Sequence, residues 1–96
     1  MTAPEVLLGR PYSFQTDVWG LGCFMYTLLF RMLPFRSDED VINFQEELNV
    51  RAEPSPIIPL SDEALQLAEL MLIKDQEKRI TISQILEHPW FNLDLN

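Results

Sequence analysis

The longest nearly uninterrupted apolar run in the chain is Asp17-Val18-Trp19-Gly20-Leu21-Gly22-Cys23-Phe24-Met25-Tyr26-Thr27-Leu28-Leu29-Phe30. Val18, Leu21, Met25 and Leu29 share one helical face, Trp19, Cys23, Tyr26 and Phe30 a second, and Phe24 and Leu28 a third. A helix apolar on every side must be enclosed by other segments or lie in a membrane. Spanning a bilayer takes roughly 18 apolar residues, and here Asp17 and Arg31 close a shorter run at both ends. The pattern therefore predicts a central helix in a helical domain, capped by Ser13 or Thr16 and stopped by Pro34 in the turn Met32-Leu33-Pro34-Phe35.

Other segments follow the same logic. Ala3 to Leu8 predicts a short helical turn with Pro4 near its start, and Gly9 to Ser13 a loop. Ser37 is a candidate N-cap with Asp38, Glu39 and Asp40 in the first turn, where the helix dipole favours acids. Val41, Phe44 and Leu48 then repeat at i, i+3 and i+7, so a second helix is expected to about Leu48. Pro54, Pro56 and Pro59 mark the stretch from Arg51 to Pro59 as a loop. A third helix starts at Ser61, with Ala64, Leu67, Ala68 and Met71 on one face. The charged connection Lys74 to Arg79 leads to Thr81-Ile82-Ser83-Gln84, a capping box. That box opens a short fourth helix carrying Ile82, Ile85 and Leu86, which His88-Pro89 ends before Trp90 and Phe91. No strand has a period-two pattern. The fold class is all-α.

Composition narrows the function. Ninety-six residues allow one small domain or part of a larger one, and 47% hydrophobic residues fit a globular chain. A formal charge of −8 with scattered Lys and Arg argues against nucleic acid or an anionic membrane as partner. The single cysteine excludes an internal disulfide and fits a reducing compartment, and no signal peptide is visible, so cytoplasm or nucleus is the expected location. Cys23 and His88 are too few for a metal site or triad; Cys23 reads as a small core residue and His88 as a helix end.

Taken together, four motifs in order resemble the C-terminal part of the large lobe of a eukaryotic serine/threonine protein kinase. Ala3-Pro4-Glu5 is similar to the APE motif that closes the activation segment. Asp17-Val18-Trp19-Gly20-Leu21-Gly22 is similar to the D-x-W-S-x-G start of the central helix. Leu33-Pro34-Phe35 resembles a P-P-F turn, and Asp75 to Arg79 with His88-Pro89-Trp90-Phe91 resembles the closing D-P-x-x-R … H-P-W-F pattern. The His-Pro-Trp-Phe ending and the Leu-Gly-Cys-Phe-Met-Tyr-Thr-Leu-Leu stretch are more similar to serine/threonine than to tyrosine kinases, and a calcium/calmodulin-kinase-like branch is the expected subgroup. The resemblance makes residues 1–96 a partial kinase domain, from the APE motif to the last helix of the large lobe, and so an incomplete fold.

The resemblance also assigns structural roles. Glu5 pairs with Arg79 in a buried ion pair; without the motifs, both would read as ordinary surface charges. Asp17 accepts hydrogen bonds from a catalytic loop, while Trp19 and Gly22 are packing positions, Gly22 permitting close approach of another segment. Gly20 stands for the usual Ser, Gln76 for Pro, and Arg31 for a Gly that would suit a left-handed cap. Thr27 occupies a position where some basic-directed relatives carry a substrate-reading Glu. The sequence has no Gly-rich phosphate loop, V-A-I-K lysine, H-R-D loop or D-F-G aspartate. No catalytic, cofactor-binding or metal-binding residue is therefore assigned, and ATP and magnesium belong to the full family domain. The expected function is that of a kinase fragment supplying the lobe's structural core and substrate-docking part, partnered by protein substrate or the rest of the kinase domain. The competing readings are a non-catalytic module that binds through residues 37 to 48 and the proline-rich loop, and an unrelated four-helix domain.

Overall fold

The computed structural model describes residues 2–44 and 62–90. It contains α1 (Pro4–Leu7), α2 (Phe14–Phe30), α3 (Asp38–Asn43), α4 (Asp62–Met71) and α5 (Ile82–Glu87), and no strand among the described residues. The expected loop from Arg51 to Pro59, the Ser61 cap, Leu48 and Phe91 lie outside the described residues.

The central helix begins at Phe14, three residues before the apolar run. Ser13 is its N-cap, and Thr16 turns back so that its hydroxyl accepts the Ser13 amide at 3.1 Å. The two candidate caps thus act together, because the first amides of a helix have no partner within it. At the far end Arg31 takes the left-handed conformation, φ 58° and ψ 30°, with its amide on the Thr27 carbonyl at 2.8 Å. A side chain there is less comfortable than glycine, since the Cβ crowds the carbonyl.

α2 packs against α4 and α5. One buried cluster gathers Trp19, Cys23, Tyr26, Leu29 and Phe30 of α2 with Phe35, Val41, Ala68 and Leu72. A second gathers Val18, Leu67, Met71, Ile80 and Ile85, and Met25 touches both. The expected inner face of α4, Ala64, Leu67, Ala68 and Met71, is buried throughout. Its alanines leave room for the bulk of α2.

Two expectations are revised. The second helix ends at Asn43, because Phe44 turns to extended backbone (φ −72°, ψ 161°). That turn lets the Phe44 ring meet Phe35 at 4.8 Å and Trp19 at 5.9 Å, contacts a continuing helix would carry away. The Lys74 ammonium then donates to the carbonyls of Ile42 and of Phe44 (3.2 Å) and lies 5.3 Å from the Phe44 ring. In α5 only Ile85 enters the core; Ile82 and Leu86 face outward. The central helix α2 is open on one side, as an incomplete lobe leaves it. Leu21, Phe24 and Leu28 are 44%, 62% and 55% exposed, and with exposed Phe14 and Asp17 they form one stripe at helical spacing.

Candidate functional site

The most elaborate polar arrangement in the described structure surrounds Arg79. This residue ends the turn after α4, where the Lys78 and Arg79 amides donate to the Asp75 carbonyl and the Glu77 amide to the Asp75 carboxylate at 2.9 Å. The turn aims the guanidinium inward, leaving the residue 2% exposed. A buried guanidinium is tolerable only if its donors find acceptors. All five do. Nη1 donates to Glu5 Oε2 (2.8 Å) and the Gln15 carbonyl (2.7 Å). Nη2 donates to Glu5 Oε1 (2.9 Å) and the Lys74 carbonyl (3.0 Å), and Nε to the Ile73 carbonyl (2.8 Å).

Glu5 reaches this point because Pro4 starts α1 and Ala3 caps it, turning the next side chain into the interior, where Glu5 is 3% exposed. The fork-to-fork geometry with Arg79 is bidentate, the strongest form such a pair takes. Burial alone would push the Glu5 carboxyl up. The hydrogen bonds from Arg79, Glu5's own backbone and Thr16, with the Arg79 charge, outweigh burial and hold it below the usual glutamate value. Thr16 donates its hydroxyl to Glu5 Oε2 at 2.9 Å. The sequence pattern marks Thr16 only as a cap, and nothing in its spacing locates a carboxylate 11 positions earlier.

Trp19 completes the site. Its ring is fully buried, stacked on Phe35 at 5.5 Å and lying 5.1 Å from the Arg79 guanidinium carbon. The indole Nε1 has no hydrogen-bond partner among the described residues. A stranded donor costs roughly 1–3 kcal/mol, less than the packing of a buried indole contributes. Gly22 sits one turn on, against α4: a Cβ there would lie 2.7 Å from Met71 Cβ and 3.1 Å from two Leu72 side-chain atoms.

Asp17 stands apart from this group. It is exposed at the N-terminal end of the α2 stripe and accepts a hydrogen bond from the Tyr12 hydroxyl. Gln76, at the position of the family's proline, accepts from the Ser13 hydroxyl at 3.1 Å and so ties the charged connection to the start of α2. Burial pushes the Cys23 thiol up to about 11, leaving almost no thiolate at neutral pH. His88 caps α5, with Nε2 on Gln66 Oε1 at 2.9 Å and Nδ1 accepting the Trp90 amide at 3.1 Å. Among the described residues no three His, Cys, Asp or Glu side chains gather so as to hold a metal ion. No helix among them is long and apolar enough to cross a membrane.

What this arrangement does is mechanical. It clamps the segment before α2 to the segment after α4 across 74 positions of sequence. The protein kinase domain family matches residues 1–91 of the chain. The SNF1-related protein kinase catalytic subunit alpha KIN12 of Arabidopsis thaliana is 41% identical over 90 residues, covering 94% of this chain and 18% of that protein. Calcium-dependent protein kinase 21 of Arabidopsis thaliana is 41% identical over 92 residues, 92% of this chain and 17% of that protein. The serine/threonine-protein kinase DCLK1 of Rattus norvegicus is 35% identical over 96 residues, 96% of this chain and 22% of that protein. Among solved structures, the twitchin kinase region of C. elegans superimposes with a TM-score of 0.69 at 31% identity, covering 93% of this chain and 16% of that one. The chain spans about a fifth of these proteins or less. It belongs to the protein kinase family, on its serine/threonine side, and corresponds to part of the helical large lobe of that domain.

Proposed function

We propose that this chain works as the structural core and substrate-docking part of a serine/threonine kinase large lobe, within a cytoplasmic or nuclear protein. The parent activity is transfer of phosphate from ATP to protein serine or threonine. ATP, magnesium and the catalytic loop belong to the remainder of the family domain, and that remainder is the chain's principal partner. The observation that carries this reading is the open stripe of α2, three large apolar side chains with Asp17 at its head. Apolar surface arranged as a helical face is where another segment packs. A carboxylate in the first turn of a helix is well placed to accept backbone amides from that segment. The Glu5–Arg79 clamp keeps the stripe and the end of the activation segment in fixed relation.

A chimera tests it. This chain replaces the matching segment of the rat DCLK1 kinase domain, and phosphate transfer from ATP to a serine-containing test peptide is measured. A monomer that melts cooperatively and transfers phosphate is expected, with Asp17→Ala lowering the rate far more than the melting temperature. A chimera that folds no better than the DCLK1 domain with that segment deleted overturns the reading.

A further inference from the structure

Tyr12 and Asp17 flank the cap that opens α2: Tyr12 stands just before the N-cap Ser13, and Asp17 four residues after it. Cap geometry brings these two positions together, and an apolar pair there commonly fixes the angle at which the chain enters a helix. Here the pair is a phenol and a carboxylate. The Tyr12 hydroxyl donates to Asp17 Oδ1, while Oδ2 has no partner among the described residues. Both side chains are exposed, Tyr12 at 66%. The segment that carries the phenol is pinned. The Arg10 amide donates to the Glu5 carbonyl at 2.8 Å, the Ser13 amide to the Thr16 hydroxyl at 3.1 Å, and the Ser13 hydroxyl to Gln76 Oε1 at 3.1 Å. Between them the ring of Pro11 fixes φ. Tyr12 is thereby presented from a base tied to the Glu5–Arg79 clamp.

An exposed aspartate with no partner turns freely among its rotamers, and an acceptor that must be stilled on binding costs affinity. A hydrogen bond to one oxygen removes that freedom in advance and leaves the other oxygen open. The contact acts on the phenol as well. Donation to Asp17, followed by desolvation and the Asp17 charge, raises Tyr12 above the ordinary tyrosine value. We propose that Tyr12 is a positioning residue, which holds the Asp17 carboxylate so that its free oxygen meets the backbone amides of the segment packed on the α2 stripe. This role rests on the kinase-lobe reading, in which Asp17 is that acceptor, and adds the residue that aims it.

Two measurements test it. In the 96-residue chain labelled with carbon-13 at its aspartate carboxyls, Tyr12→Phe is expected to shift the Asp17 resonance at neutral pH and to leave those of Asp38 and Asp40 in place. An Asp17 resonance that does not move means that the two side chains do not meet, and overturns the proposal. In the DCLK1 chimera, Tyr12→Phe is expected to lower kcat about threefold to tenfold, the worth of one ordinary hydrogen bond, with KM for ATP unchanged. On the Asp17→Ala background the same change is expected to do nothing further, because the carboxylate it would aim is gone. An equal drop on both backgrounds means that Tyr12 acts through packing, and overturns the proposal. An active chimera indifferent to Tyr12→Phe overturns it as well, and leaves the kinase-lobe reading standing. A chimera that is inactive with Tyr12 and Asp17 both intact fails that reading, and the positioning role falls with it; the shifted carboxyl resonance then marks the contact as a helix cap alone.

Discussion

At the scale of single residues, the Glu5–Arg79 pair shows why a buried charge is kept. Arg79 has no unused donor, and Glu5 answers it with both oxygens while taking a third contact from Thr16. Removing one member leaves the other buried and uncompensated, a loss of roughly 3–5 kcal/mol in such pairs. Glu5→Gln keeps the shape and loses the charge, so it should cost about 2–4 kcal/mol at neutral pH, read from urea unfolding. The pH dependence has a definite sign. Because the folded state holds the Glu5 carboxyl below its ordinary value, its contribution is complete above the unfolded value and is lost as pH falls through the folded one. The gap between wild type and Glu5→Gln should therefore be widest near neutrality and shrink below about pH 4. A gap that stays constant into acid would mean that the loss comes from packing and not from charge.

At the scale of elements, α2 carries a matched pair of glycines with opposite expectations. Gly20 is exposed, and a Cβ there meets nothing within 4 Å. Gly20→Ala should stabilise by about 0.5–1 kcal/mol, the helix-propensity difference. A Cβ added at Gly22 would lie 2.7 Å from Met71 Cβ, an atom anchored directly to the backbone of α4 and unable to swing aside. Gly22→Ala gains the same propensity but must push α2 and α4 apart, a strain of roughly 1–3 kcal/mol. Thermal melts of the two variants should move in opposite directions; a shift of the same sign in both would show that α2 and α4 do not meet so closely. These elements also mark what could be read from the sequence. The inner face of α4 and the Thr81–Gln84 box followed from spacing alone, since both are local periodic signals. The end of α3 did not, because the same i, i+3 pattern that lengthens a helix also places Phe44, whose partners Trp19 and Phe35 are distant in sequence. The Thr16 hydroxyl and the Ser13–Gln76 contact escaped for the same reason: each is settled by a residue from another segment. Family motifs supplied Glu5 and Arg79 as partners, which periodicity could not have joined.

At the scale of the whole molecule, two tendencies oppose each other on the surface of the 96-residue chain. Leu21, Phe24 and Leu28 stand open together on α2, and burying such side chains contributes roughly 1.5–3 kcal/mol each. The formal charge of −8 drives copies apart, but at about 0.15 M salt that repulsion fades beyond roughly 8 Å. Contact between two stripes takes place inside that distance only after the charges on other faces have been screened, so burial prevails. Alone, the chain should associate reversibly, more strongly as salt rises, with weight-average mass climbing with concentration in sedimentation equilibrium. Phe24→Lys with Leu28→Glu places opposite charges one turn apart on the exposed face, where they support the helix and not the association. That double variant should sediment as a monomer with unchanged helical circular dichroism. If the wild type is itself monomeric at every concentration and salt, the open face of α2 is not adhesive, and the case for a missing neighbour against it fails.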